Sequence, residues 1–294
     1  METLTIITPT YNRANLLVKL YQSLEQQTNK DFCWLVVDDG SSDNTYEVVR
    51  AFAKSASFNI VCVKKSNGGK HTALNYGIKS IATPLTMIVD SDDYLTSDAV
   101  SCIINVYHKY MQYENISAYT FLKGNSNGNH TVTIESDEFV ENYINYRIKG
   151  HRPGDMAEVF KTEYLKRFPF PEYENEKFIS EDIVWIQIGK ISNAVYVNKV
   201  IYICEYLKGG LTDSDKKMKF LSPLGSMMRG KQLMSMECGA KENVRGAIIY
   251  NVYAHEARKK GINNMISLSH REKVLICSTK LLALYYYKKW HRGI

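Results

Sequence analysis

Along the first ninety residues, unbroken apolar runs alternate with stretches of helical spacing. LTIIT (4–8), FCWLVV (32–37), NIVCVK (59–64) and LTMIV (85–89) predict strands. Between them, 15–27 sets Leu16, Leu17, Leu20 and Leu24 at helical spacing. A Ser/Asp/Asn cap region opens a second helix over 42–55, and 71–81 predicts a third. Strands that read as continuous apolar runs, separated by helices, imply a parallel sheet covered on both faces. Right-handed crossovers then bring the carboxyl ends of those strands to one edge.

Beyond Tyr94 the pattern loosens. A helix is predicted over 97–111, a strand over 116–122 and a hairpin turn at GNSNGNH (124–130). DEFVENYINYRI (137–148) predicts a helix, MAEVFKTEYL (156–165) a short strand running into a helix, and EDIVWIQIGKI (181–191) a helix headed by two acids. AVYV (194–197) and VIYICEYL (200–207) predict late strands, and from about Asp215 the chain reads as helical. No internal repeat or low-complexity segment interrupts it.

Polar clusters fall where the early strands end: TPTYNR, DDGSSDNT, KSNGGKH and DSDD. In open α/β sheets ligands bind beyond the carboxyl ends of strands, so four such loops predict a site. Asp90, Asp92 and Asp93 crowd three carboxylates into four positions. A D-x-D pair suits a hard divalent cation, Mg²⁺ or Mn²⁺, which takes one or two carboxylates and leaves places for phosphate oxygens. Read alone, the cluster is also an acidic turn with Asp93 or Ser97 as a helix cap. Asp38 and Asp39 can accept from a base or ribose, while Asp43 caps the following helix. Asn67, Gly68, Gly69 and Lys70 open a helix whose backbone amides favour an anion. This loop is neither G-x-G-x-x-G nor a P-loop. His71 reads as a packing or capping residue. Glu181 and Asp182 satisfy the helix dipole but also suit a general base, with Ser180 as N-cap.

The order PTYNR, VVDDGSSDNT, N-x-G with A-x-N-x-G, DSDD and ED resembles the family 2 glycosyltransferases over about residues 3–210. The resemblance implies a GT-A fold: an α/β, Rossmann-like, mostly parallel sheet flanked by helices, here with a C-terminal helical extension. It implies a catalytic domain over 1–213, with a nucleotide-binding half at 1–95 and an acceptor-binding half at 96–213, then a helical region at 214–294. It further implies an inverting enzyme using a nucleotide-sugar, most often a UDP-sugar, with Mn²⁺ or Mg²⁺. By motif position Pro9, Thr10, Tyr11 and Arg13 line the nucleotide pocket. Asp39 binds the uracil and Asp38 supports its loop. Asn67, Lys70, Asp90 and Ser91 contact the nucleotide. Asp92, with Asp90, holds the metal, and Asp182 is the base with Glu181 beside it. EYLKGGLTDS (205–214) resembles a donor-covering loop in which Lys208 meets phosphate. Leu74 departs from the pattern: many relatives carry Arg there, and Lys70 is the nearest replacement for its charge. A sugar-nucleotide nucleotidyltransferase would need a Gly-rich basic signature after the first strand, which TPTYNRANLL lacks. A non-catalytic binding relative would not require the acidic pairs.

Composition adds two constraints. With 45% apolar and 23% charged residues, the 294-residue chain can bury a sizeable core. Charge is uneven: from residue 214 onward Lys and Arg outnumber Asp and Glu by 16 to 5, against 21 to 26 before it. STKLLALYYYKKWHRGI (278–294) mixes Leu, Tyr and Trp with cations, which suits an anionic membrane surface carrying a lipid-linked acceptor. The alternative is a helical subdomain packed on the core or on a second subunit of a homo-oligomer. No reader motif accompanies the charge, so nucleic acid is not expected. The six cysteines form no C-x-x-C pair and read as reduced thiols. Neither a basic, apolar leader nor a membrane-length apolar run is visible, so the expectation is a cytoplasmic protein, peripheral on the membrane's inner face at most.

Overall fold

The structure is a computed structural model that describes residues 2–127, 129–130, 132–204, 211–263 and 266–292, with backbone only at 211–215. Lys208 lies outside the described residues. The chain divides into two compact units, one of Met1–Asn142, Arg152–Pro169 and Ile191–Tyr206, the other of Tyr143–His151, Phe170–Lys190 and Leu207–Ile294.

The first unit holds one sheet, of nine strands among the described residues. These are β1 (Leu4–Thr10), β2 (Phe32–Asp38), β3 (Asn59–Lys64), β4 (Leu85–Ile88), β5 (Tyr94–Leu95), β6 (Ile116–Gly124), β7 (Glu138–Glu141), β8 (Met156–Lys161) and β9 (Asn193–Ile203). Their order is β3-β2-β1-β4-β8-β6-β9-β5, with β7 also on β9. β3, β2, β1 and β4 run parallel, as the apolar runs imply. β8 joins antiparallel to both β4 and β6, so the second half is mixed.

Alternation explains how both faces are covered. Leu4, Ile6, Trp34 and Val36 point to one side and pack with α1 (Leu17–Glu25), α2 (Thr45–Ser55) and α4 (Ala99–Tyr110). The intervening Ile7, Leu35 and Val37 meet α3 (Lys70–Ser80), where a Cβ on Gly77 would lie 2.6 Å from Ile7 and 2.8 Å from Val37. Leu17, Leu20 and Leu24 are fully buried on α1. Each contributes about 1.5–3 kcal/mol by leaving water. β3 is an edge strand and leaves Val61 exposed.

Three expectations change here. The helix predicted over 137–148 is a strand, β7, followed by a π-helical segment, Ile144–Lys149. The open edge of β9 claims Phe139 and Val140, opposite Tyr196 and Val195, and Phe139 stacks on Tyr196 at 5.1 Å. The two late strands are one, β9, whose exposed middle accommodates irregular pairing with β6. β5 was invisible in the periodicity because two residues carry no pattern; it pairs Tyr94 with Ile203. The turn near 124–130 is present, closed by a bridge between Gly124 and His130. α5 (Thr162–Arg167) follows β8.

The second unit is helical: α6 (Asp182–Gly189), α7 (Leu211–Leu221), α8 (Pro223–Leu233), a 3-10 turn at Met236–Cys238, α9 (Gly239–Lys259) and α10 (His270–His291). Its core joins Met227, Leu233, Ala247, Tyr250, Tyr253 and Tyr287. Ser269 caps α10 in a full capping box with Glu272. No helix among the described residues is long and apolar enough to cross a membrane. All six cysteines are free. Burial pushes the Cys62 and Cys204 thiols up to about 12, so both stay protonated.

Candidate active site

β1 and β2 end level with one another, Thr10 opposite Asp38, and Asp38 is opposite Lys64 on β3. That register brings the following loops together. Asn12 sits at φ 53, a left-handed conformation Asn tolerates, and accepts at Oδ1 from the Ser42 N–H at 2.8 Å. Its own N–H donates to Ser41 Oγ at 2.8 Å, and the Arg13 N–H donates to Thr45 Oγ1 at 3.1 Å. The first two strand-end loops are thus fixed to each other. Asp43 is not the cap of α2: it accepts from the Thr45 N–H at 3.0 Å, one position ahead of Asn44, which occupies the cap position.

Asp38 is fully buried, accepts from the Ser41 N–H at 2.8 Å and faces Lys64 at 3.6 Å. Asp39 is the hub of the next loop. It accepts from Lys65 Nζ at 2.8 Å, Asn67 Nδ2 at 3.1 Å and the Gly68 and Gly69 amides at 3.0 and 2.7 Å. The glycine-loop amides therefore meet a carboxylate of the chain itself. Gly40, at φ 80, lets the backbone pass: a Cβ there would lie 2.8 Å from Asn67 N.

The acidic cluster closes the arrangement. Arg13 Nη1 meets Asp92 Oδ2 at 2.7 Å, joining the loops after β1 and β4. Lys70 Nζ, at the start of α3, meets Asp90 Oδ1 at 2.5 Å. Leu74, the departure from the family pattern, is fully buried, so Lys70 is the cation that α3 offers here. Asp93 turns inward, where Tyr202 Oη donates to it at 2.7 Å and accepts from the Asp90 N–H at 3.0 Å. Burial and the Asp90 charge push Asp93 up to about 6. Burial also acts to raise Asp90, but Lys70, Lys123 and Arg13 outweigh it and hold that carboxyl below its ordinary range. Pro9, Thr10 and Ser91 are buried at the same strand ends, whereas Tyr11 is 49% exposed.

Two of these carboxylates, Asp90 and Asp92, remain partly accessible, with side chains 35% and 23% exposed. Their oxygens are hard donors. This donor set fits one Mg²⁺ or Mn²⁺ that draws its remaining ligands from phosphate and water. Among the described residues no group of three or more His, Cys, Asp or Glu forms a closed metal cage.

Glu181 and Asp182 belong to the helical unit. Asp182 begins α6 and is held by Arg229 of α8, Nε and Nη2 each 2.7 Å from Oδ2. Ser180 is not the cap of α6: its hydroxyl donates to Asp182 Oδ1 at 2.5 Å, and Glu181 occupies the cap position. Burial acts to raise Asp182, but the Arg229 charge and the bonds from Arg229 and Ser180 prevail, so its pKa lies below the ordinary value.

Sequence reasoning did not single out Tyr202, Lys123, Lys65, Asn12 or Arg229. Lys123 Nζ lies 4.1 Å from the Tyr202 ring centre, beside the same acidic cluster. Tyr202 and Arg229 stand 112 and 47 positions from the residues they hold, and no local pattern announces such pairings.

Comparison with known proteins gives the family and the fold. Residues 5–162, more than half of the chain, match Glycosyl transferase family 2, and the chain belongs to that family. It is 27% identical over 207 residues to glycosyltransferase GlyA of Streptococcus pneumoniae, covering 69% of this chain and 28% of that protein. The chain spans about three-tenths of the length of the first curated relatives it matches. The fold is that of Staphylococcus aureus TarS 1–349 in complex with UDP-GlcNAc, with TM-score 0.63 and 19% identity over 99% of this chain and 81% of that one. It is also that of the mannosyltransferase PcManGT of Pyrobaculum calidifontis in complex with GDP-Man and Mn²⁺, with TM-score 0.59 and 18% identity over 98% and 82%. Both are GT-A glycosyltransferases.

Proposed function

We propose that the chain is an inverting glycosyltransferase that moves a sugar from a UDP-sugar to a hydroxyl of a cell-surface glycan or lipid-linked oligosaccharide. The observation that carries this reading is the linkage of four strand-end loops, with Arg13 set against Asp92 and Lys70 against Asp90. The UDP-GlcNAc and GDP-mannose of the two solved relatives support a nucleotide-sugar donor.

In this reading Pro9, Thr10, Tyr11, Arg13, Asp38, Asp39, Asn67, Lys70, Asp90 and Ser91 form the nucleotide site. The exposed Tyr11 ring offers a stacking face for the base. Asp39 is assigned to the uracil; it already accepts from four groups, so a uracil N–H would replace one of them. Asp92, with Asp90, would hold Mn²⁺ or Mg²⁺, which supplies positive charge against a departing diphosphate. Arg13 and Lys70 contribute charge of the same sign at that place.

Asp182 is assigned the general base, with Glu181 beside it. The Arg229 pair keeps it ionised at neutral pH, so it can accept the proton of an acceptor hydroxyl. The oxygen attacks the anomeric carbon opposite the leaving UDP. One displacement inverts the configuration, and an α-linked donor gives a β product. A screen of UDP-sugars by UDP release, with added Mn²⁺ and with chelator, tests this directly. Release from at least one donor, lost on chelation, is expected; no release from any nucleotide-sugar with an acceptor present would sink it.

The helical unit supports a second element of the reading, peripheral contact with the anionic inner leaflet of a membrane. α10 buries Thr279, Ala283 and Tyr287 but turns Val274, Leu281, Leu282, Leu284 and Tyr285 outward, Leu281 at 84% exposure. Lys280, Lys288 and Lys289 are exposed around them. Apolar side chains framed by lysines match the boundary between headgroups and acyl chains. A second copy of the chain is the competing occupant of that face.

A further inference from the structure

We propose that the helical unit contains a binding cavity for a phosphate-bearing amphiphile, an isoprenoid or acyl phosphate, which presents the acceptor to Asp182. The cavity measures about 590 Å³, within the range of small-molecule sites. One wall is aromatic. Phe220 meets Tyr253 edge-on at 5.1 Å, and Trp290 lies 5.5 Å from Tyr286 and 6.4 Å from Tyr253. Ile248 and Ile249 of α9 extend the apolar surface. Such a wall fits a hydrocarbon chain.

The remaining lining is cationic. Lys216, Lys219, Arg229, Lys241 and Arg245 face the cavity, and among the described residues no acidic one is in its lining. Among the described residues three carboxylates bond the lining: Asp182 holds Arg229, Glu242 lies 3.3 Å from Arg245, and Glu176 accepts from the Gly225 N–H at 2.8 Å. Lys241 Nζ meets the His151 ring at 2.9 Å. Five cations against three carboxylates still favour an anion, and lysine and arginine are the usual partners of phosphate. Aromatic wall and cationic rim in one cavity together define an amphiphile with a phosphate head.

Position connects this cavity to chemistry. Ser180 and Arg229 both line it, and both bond Asp182. A head group held there brings an attached hydroxyl toward that carboxylate. The acceptor role rests on the transfer reaction proposed above; the binding itself does not.

The test is equilibrium binding to the full chain, without donor, of farnesyl phosphate below its micellar concentration. Farnesol, inorganic phosphate and vesicles of neutral phosphatidylcholine serve as the other arms. Farnesyl phosphate should bind at least tenfold more tightly than farnesol or inorganic phosphate, and the neutral vesicles should not compete. Lys216→Gln combined with Lys241→Gln, both at exposed positions, should weaken farnesyl phosphate at least tenfold while leaving farnesol unchanged. Ile248→Trp, which fills the cavity, should remove both ligands. Equal affinity for alcohol and phosphate, a preference for inorganic phosphate, or full binding by the two variants would overturn the proposal. Binding with no sugar transfer from any donor would overturn the reaction and leave the cavity; transfer without lipid-phosphate binding would do the reverse.

Discussion

Asp182 meets the requirements of a base in one respect and resists them in another. Arg229 and Ser180 guarantee its charge and hold its oxygens in one orientation, but they also make it a weak proton acceptor. Asp182→Asn should lower turnover about 10²–10⁴-fold, as expected for lost general base catalysis. The same change leaves the half-buried Arg229 without its anion and should destabilise the fold by about 1–3 kcal/mol at pH 7. Because the folded pKa is depressed, the pair stabilises above the unfolded value near 4 and is lost as pH falls further. Urea denaturation of both proteins should therefore show a gap at pH 7 that closes below pH 4. At Tyr202 the prediction is structural: Tyr202→Phe leaves the Asp90 N–H without its acceptor and should cost about 1–3 kcal/mol, read by the same denaturation. Asp90 and Asp92 were legible in the sequence because a buried strand stops on them. Tyr202 and Arg229 were not, because each acts across the fold on a partner distant in sequence.

At the scale of elements, periodicity was most informative where strand, loop and helix repeat. The four parallel strands and three helices of the first ninety residues follow directly from their apolar runs. It was least informative around β7, where a local pattern compatible with helix yields to the free edge of β9. The helical unit shows a different constraint. α8 and α9 cross so closely that a Cβ on Gly230 would lie 2.7 Å from the Gly246 carbonyl oxygen, and one on Gly246 would lie 2.5 Å from that of Gly230. Gly230→Ala should therefore destabilise by about 1–3 kcal/mol, as forced overpacking does. Thermal unfolding measures it, and an unchanged midpoint would contradict so close a crossing. Because α8 also carries Arg229, the same variant tests whether that crossing positions the Asp182 pair.

At the scale of the whole molecule, sequence and structure speak to different things. Composition exposed the basic C-terminal region, but only the structure separates α10 into an inward face and an outward apolar one. Flotation with anionic vesicles at low salt should carry the protein upward, and about 0.5 M salt should release much of it by screening. Failure to float, with dimers in solution, would assign that face to a second copy. The central claim is sugar transfer at the strand-end site with Asp182 as base. Its most direct test compares UDP release by the native chain and Asp182→Asn, on the best donor and a suitable acceptor, alongside UDP binding by calorimetry. Undiminished UDP affinity with release lowered at least about a hundredfold is the predicted result. Full release by Asp182→Asn would contradict it.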